Sequence, residues 1–204
     1  MQVFEASAET NDSDNVFNIL LEKSAILKGH FMLTSGLHSD TYIQCAKLHE
    51  SPSVCEHLCR LLLKKVQRER AELLKVDMVV APAMGGVLFG YEIARLLGVN
   101  FVFLERVEGF FTLRRGFSIK EKDRILIIED VITTGKSSLE VYDVVTSMGG
   151  VVVGELSIIT RSRNVHMPFP FMSLLSLDIK NYSDSEVPEY LAKIPISKPG
   201  SRQI

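Results

Sequence analysis

The chain has 204 residues, 46% of them apolar, with 23 Lys plus Arg against 25 Asp plus Glu and a formal charge of −2. That is enough for one domain with an appended lobe and a substantial core, which excludes disorder as its main character. The balanced charge gives no global field to gather nucleic acid or an anionic membrane, so any anion must be bound locally.

The longest stretches without Asp, Glu, Lys or Arg, 78–91 and 164–177, fall short of the roughly 20 residues that span a bilayer. A soluble protein with no membrane and no nucleic-acid partner is expected. No Lys or Arg precedes Lys23, while Glu5, Glu9, Asp12, Asp14 and Glu22 do, the wrong sign for a leader peptide, so a cytoplasmic location is expected. Three cysteines without a C-x-x-C pair agree with a reducing compartment. Cys55 and Cys59 share one helical face, and the sequence favours a buried apolar role for them over a metal site with His49 or His57.

In chain order, residues 1–13 read as a flexible N-terminus and 14–204 as a single domain, with 14–50 contributing to a small lobe. Val16, Phe17, Ile19, Leu20, Ile26 and Leu27 predict a helix that stops at Gly29. A turn-rich loop follows, and then a strand on the alternation Tyr42, Gln44, Ala46. Ser51-Pro52 opens a helix over 53–74, with Val54, Leu58, Leu61, Leu62 and Val66 on its apolar face.

From there the elements alternate: strand 76–81, helix 86–97, strand 101–104, strand 124–129, helix 137–148, strand 151–159, and a further strand in 169–177. The strands at 78–80, 125–128 and 151–153 are apolar on both faces, as parallel strands covered by helices are. The fold class that follows is α/β: a doubly wound, mainly parallel sheet flanked by helices, with a small N-terminal lobe.

The sharpest motif is RILIIEDVITTGKSS at 124–138. A buried strand ends in the adjacent acids Glu129 and Asp130, passes through Val131, Ile132, Thr133, Thr134 and Gly135, and enters a helix at Lys136 and Ser137. Ligands of open α/β sheets bind beyond the carboxyl ends of the strands, where this turn must lie. A helix N-terminus offers unpaired N–H groups and a positive dipole end, and the glycine and hydroxyls around it complete a phosphate cradle. Lys136 is expected in solvent. A triphosphate P-loop needs glycine where Asp130 stands, so that reading fails. Paired carboxylates beside a phosphate cradle suit a ligand with vicinal hydroxyls and can stabilise cationic character at a sugar carbon.

EDVITTGKS (129–137) resembles the 5-phosphoribosyl-1-diphosphate (PRPP) motif of the type I phosphoribosyltransferases. More narrowly, the chain resembles the orotate phosphoribosyltransferases over nearly its whole length. GHFMLTSGLHSDTYIQ (29–44) is similar to that family's N-terminal loop and strand, VVAPAMGGVLFGYEIARLLG (79–98) to its pyrophosphate-loop region, and KPGSR (198–202) to an ending seen in some members.

The resemblance implies the type I phosphoribosyltransferase fold, transfer of the phosphoribosyl group to orotate with release of pyrophosphate, a Mg²⁺ ion, and a homodimer with shared active sites. It puts the 5-phosphate on Thr133 to Ser137, the ribose hydroxyls on Glu129 and Asp130, and the orotate carboxylate on Arg161. The chain departs from the best-known members in having Thr34 in place of a lysine, Met84-Gly85 in place of Tyr-Lys, and Val107, Phe110 and Thr112 where the loop carries two lysines and a histidine. Arg106, Arg114 and Arg115 are left as the strong cations for the pyrophosphate. Set against that role is a β-hairpin with solvated arginines and Phe110, Phe111 and Phe117 as lobe core. Of five histidines only His38 is near the expected site, and a lone loop histidine is expected at the surface. The rival readings are a transferase for another base and a PRPP-binding regulator without turnover.

Overall fold

The computed structural model describes residues 12–33, 35–161 and 165–198, with no account of the side chains of residues 12–14. The expected flexible start over 1–13, apart from its last two residues, lies outside the described residues. So do Thr34 and the 199–202 part of the C-terminal motif.

A six-stranded sheet carries the molecule: β3 (Met78–Pro82), β4 (Asn100–Val107), β5 (Phe110–Leu113), β6 (Arg124–Ile132), β7 (Val151–Thr160) and β8 (Phe171–Ser176), in spatial order β5-β4-β3-β6-β7-β8. All neighbours are parallel except the β4–β5 hairpin, which forms one edge. The expected doubly wound sheet is what the chain forms. From β3 the chain turns outward to β4, and from β6 to β7 on the other side, so the switch point lies between β3 and β6.

Alternation along the central strands divides the core. Val79, Leu126 and Ile128 face α1 (Asp12–Glu22), α2 (Pro52–Glu69) and α3 (Gly85–Leu97). Met78, Val80, Ile125 and Ile127 face α4 (Lys136–Ser147) and the hairpin. Each face is closed by large buried side chains, Leu58, Leu62, Phe89 and Ile93 on one and Val141, Val145 and Phe111 on the other. Burying a side chain of this kind contributes roughly 1.5–3 kcal/mol. Cys55 and Cys59 belong to the first core, as expected of small apolar residues.

The N-terminal helix is shorter than the spacing predicts. It ends at Glu22, Ser24 adopts φ 55°, and Ile26 and Leu27 turn into β1 (Ile26–Met32), which also contains Gly29. Pairing with β2 (His38–Ile43) overrides the helical spacing, with Ile26 opposite Ile43 and Leu27 opposite Tyr42. The strand expected to reach Ala46 gives way at Cys45 to a short 3-10 turn. The 53–74 helix breaks at Arg70, and the turn after it drops Leu73 into the core.

The lobe is a second sheet of order β10-β1-β2-β9, in which β9 (Asn181–Tyr182) and β10 (Ile196–Ser197) come from the far end of the chain. It therefore draws on more than residues 14–50, and α1 packs its Val16 and Leu20 into the main core instead. Between β9 and β10 runs a short helix, α5 (Glu189–Ala192). His38 is not at the surface: it is 4% exposed and bonded on both ring nitrogens, because β2 turns it inward against His30.

Candidate active site

The switch point places two loops side by side at the carboxyl ends of β3 and β6. Following the alternation of β6, Glu129 continues the series of Ile125 and Ile127 towards α4, and Asp130 continues that of Leu126 and Ile128 towards α3. The adjacent acids thus diverge to the two faces of one strand end. Gly85, the first residue of α3, is where α3 meets Asp130: a Cβ there would lie 2.5 Å from Asp130 Oδ2. One on Gly86 would lie 2.5 Å from the Ile128 carbonyl oxygen. These glycines let α3 start against β6, and the peptide before them, Ala83–Met84, is cis.

Glu129 is buried, and its Oε1 accepts from the Asp130 N–H at 3.2 Å. Burial, with Asp130 alongside, pushes the Glu129 carboxyl well above the usual carboxylate range. Asp130 is half-buried, and its Oδ1 accepts the Val131 N–H at 2.8 Å. Strand β6 continues through Val131 and Ile132, three residues beyond the expected end.

Gly135 then takes φ 80° as the residue before α4 and brings no capping side chain, while the Lys136 N–H donates to Thr134 Oγ1 at 3.4 Å. A Cβ on Gly135 would stand 3.0 Å from Met167 Cε and 3.1 Å from Val165 Cγ1, so the loop is tight as well as left-handed. The first turn of α4 borders a cavity of about 60 Å³ lined by Glu129 and by Val131 through Ser138. Lys136 is exposed, as expected, with its Nζ 4.0 Å from Glu140.

Sequence reasoning missed two supports of this cradle. Ser138 Oγ donates to Glu155 Oε1 at 2.8 Å, which fixes the first turn of α4 onto β7. Glu155 is fully buried, its Oε2 has no partner among the described residues, and burial pushes its carboxyl up to about 7. A lone acid inside the apolar run 151–159 was the signal that could have found it. Gly85 was the other, hidden in a motif rich in small residues.

A larger cavity of about 660 Å³ opens beside the cradle. Leu33, Ser35, Leu37 and Tyr42 from the lobe, Asp178, Ile179 and Asn181 from the C-terminal segment, and Arg161, Thr133 and Thr134 line it. Thr133 and Thr134 line both cavities, so the two adjoin at these residues. Arg161 follows β7, and its N–H donates to the Ile132 carbonyl at 2.9 Å. Among the described residues its Nη2 reaches the neutral Asn181 Oδ1, at 3.4 Å, and burial lowers the pKa of the guanidinium. A half-buried guanidinium bonded, among the described residues, to a neutral amide suits a carboxylate ligand.

The hairpin arginines stand apart from both cavities. Arg106 donates to Glu140 Oε2 and to the Gly109 carbonyl, each at 2.6 Å, and its guanidinium lies 4.0 Å over the Phe111 ring. Arg115 makes a two-bond fork to Glu105 at 2.8 and 2.9 Å, and Arg114 is exposed. Phe111 is buried beneath the hairpin, whereas Phe110 is 77% exposed.

Residues 46–165 match the phosphoribosyl transferase domain. The orotate phosphoribosyltransferase of Carboxydothermus hydrogenoformans is 44% identical over 93% of this chain and 98% of its own. That of Erythrobacter litoralis is 43% identical over 93% and 97%. The chain belongs to the orotate phosphoribosyltransferase family. Its fold agrees: the orotate phosphoribosyltransferase structure from Aeropyrum pernix superposes with a TM-score of 0.68 at 25% identity, covering 78% of this chain and 92% of the other. Family membership makes the protein a pentosyltransferase, and the strand end and cradle at 129–137 lie within the matched domain.

Proposed function

We propose that the protein transfers the phosphoribosyl group of PRPP to orotate at this site, giving orotidine 5-phosphate and pyrophosphate in the formation of UMP. The observation that carries the reading is that the cradle at the start of α4 adjoins the Arg161 cavity at Thr133 and Thr134, which line both. A phosphate monoester at one end and a carboxylate-bearing base at the other match what the two ends offer.

The N–H groups of Lys136, Ser137 and Ser138 with the hydroxyls of Thr133, Thr134 and Ser137 hold the 5-phosphate, and Val131 and Ile132 wall it in. Glu129 and Asp130 accept from the ribose hydroxyls on either side of the strand end. As the C1–oxygen bond breaks, pyrophosphate leaves with the electron pair, C1 gains cationic character, and the acids stabilise it. Orotate N1, having lost its proton, forms the new bond while Arg161 fixes the base through its carboxylate.

Among the described residues no group of three His, Cys, Asp or Glu side chains could cage a metal. The hard carboxylate oxygens at the strand end fit a Mg²⁺ that arrives on the diphosphate and keeps its waters, with Asp130 and Glu129 as the residues that would hold that shell. When bound, such an ion neutralises charge on the departing pyrophosphate.

The working unit in this reading is a homodimer with shared sites. Met84, Leu88 and Tyr91 on and beside α3, with Phe110 on the hairpin, are exposed apolar side chains that a second copy would cover. Arg106, Arg114 and Arg115 then serve the pyrophosphate of the neighbouring subunit, which accounts for their distance from the cavities of their own chain. Residues 14–204 act as one domain, and three buried free cysteines suit a cytoplasmic setting.

The test is release of pyrophosphate from PRPP with orotate as acceptor. PRPP binding without release would make the protein a regulator, and equal turnover with uracil or adenine would make it a transferase for another base.

A further inference from the structure

The lobe contains a buried chain of polar groups that the transfer reaction does not use. His30 Nδ1 faces the Ile194 carbonyl at 3.1 Å, His30 Nε2 faces His38 Nδ1 at 2.6 Å, and His38 Nε2 faces Asp184 Oδ1 at 2.5 Å. The rings are 3% and 4% exposed, while the Asp184 side chain is 88% exposed.

Three hydrogen bonds in a row need three protons. The end groups, a carbonyl and a carboxylate, are acceptors and bring none, and two neutral imidazoles bring one each. The fully bonded chain therefore holds one proton more than two neutral rings carry, balanced by the Asp184 carboxylate. Without that proton, lone pair must face lone pair at one of the three places. With Asp184 holding the His38 Nε2 proton and His38 Nδ1 accepting from His30, the bond that fails is the longest, His30 to Ile194.

The charged and titratable side chains on the surrounding elements are Lys28 on β1, Asp40 and Tyr42 on β2, Lys180 and Tyr182 at β9, Glu186 beside Asp184, and Glu189, Tyr190 and Lys193 at α5. Among the described residues none of them bonds to either ring. Lys28 is held by Thr41, Glu186 by Ser183 and Lys193 by Glu189, and Tyr190 donates to Asp40.

We propose that His30, His38 and Asp184 form a proton-dependent latch that holds the lobe to the C-terminal segment and thereby positions the wall of the base cavity. Leu37, which lines that cavity, precedes His38, and Asn181, the partner of Arg161, pairs with Ser39 on β2. The three latch groups are positioning residues and touch no substrate. Their effect on base binding rests on the orotate reading, whereas the proton count does not.

The sign follows from the count. The fully bonded chain holds one proton more than the chain with a failed bond, so the latch weakens as rising pH removes that proton.

The experiment compares the unmodified protein with Asp184→Asn, a surface change that keeps an oxygen acceptor, between about pH 6 and about pH 9. Ring-nitrogen NMR should show one ring with both nitrogens protonated at the acid end. On the way to the alkaline end the thermal midpoint should fall and KM for orotate rise several-fold, with kcat and KM for PRPP little changed. Asp184→Asn should flatten these trends. Two neutral rings throughout, or identical pH profiles for the two proteins, would overturn the latch. A protein inactive with orotate sinks the substrate reading instead, and the NMR and thermal midpoints still decide the latch.

Discussion

Gly85 occupies the position from which any side chain would strike Asp130, since a Cβ placed there falls 2.5 Å from Oδ2 and 2.6 Å from Cγ. Nothing in the backbone dihedral of Gly85 demands glycine, so the constraint is the carboxylate in front of it. Gly85→Ala should leave the fold intact and displace Asp130 from the strand end. An ångström of misplacement costs up to about 100-fold in turnover, and kcat/KM beside a thermal melt separates this from loss of stability.

Asp130→Asn keeps the shape of the side chain and removes its charge. If that charge stabilises cationic character at C1, turnover falls at least about tenfold while PRPP binding weakens less, as steady-state kinetics and direct PRPP titration will show. Unchanged turnover would reduce the two acids to structural groups at a loop.

Arg161→Leu should raise KM for orotate far more than KM for PRPP, because the cradle at Thr133 to Ser137 is untouched. A parallel rise in both constants would mean that Arg161 shapes the loop after Ile132, to which its N–H is bonded, and does not read the base.

Glu155 carries a pH signature of its own. Its carboxyl is raised from 4.5 to about 7 by burial, so the unfolded chain ionises it first as pH rises. The folded state loses stability across that interval, by about 3 kcal/mol for a shift of this size, and keeps the deficit above it. Glu155→Gln should remove the decline, making the variant relatively more stable at pH 8 than at pH 5, checked by thermal melts. A decline that persists in the variant belongs to another group.

Shared sites can be tested by subunit exchange. Asp130→Asn in one sample and Arg114→Ala/Arg115→Ala in another should each be nearly inactive. In randomly paired dimers half are mixed, and each mixed dimer has one intact site, so about a quarter of the original activity returns. No recovery after verified exchange would place Arg114 and Arg115 outside the neighbour's site.

The parts of this molecule legible in its sequence are those whose signals are local. Ile125 to Ile128 form an unbroken apolar run, and Thr133-Thr134-Gly135 marks the turn within a few residues of it, so strand, cradle and helix could all be located. The lobe was harder because Ile26 and Leu27 continue the helical spacing of Val16 to Leu20, and only their pairing with Ile43 and Tyr42 makes them a strand. Strands of two residues such as β9 and β10 have no period to detect. His38 read as a surface residue because its partners are His30 on another strand and Asp184, 146 residues away. The divergence of Glu129 and Asp130 was present in the strand's alternation, and the length of β6 past Glu129 was not.

The sheet order β10-β1-β2-β9 has a consequence for synthesis. His30 finds the Ile194 carbonyl 164 residues downstream, and β10 lies parallel to β1 just beyond it. A growing chain emerges from the ribosome with β1 and β2 first, yet their flanking strands are translated last, after every strand of the main sheet. This early-made hairpin is thus completed late: until Tyr182 has emerged its sheet has open edges on both sides, and until Ser197 on one, the condition in which a nascent hairpin most needs protection from wrong pairing.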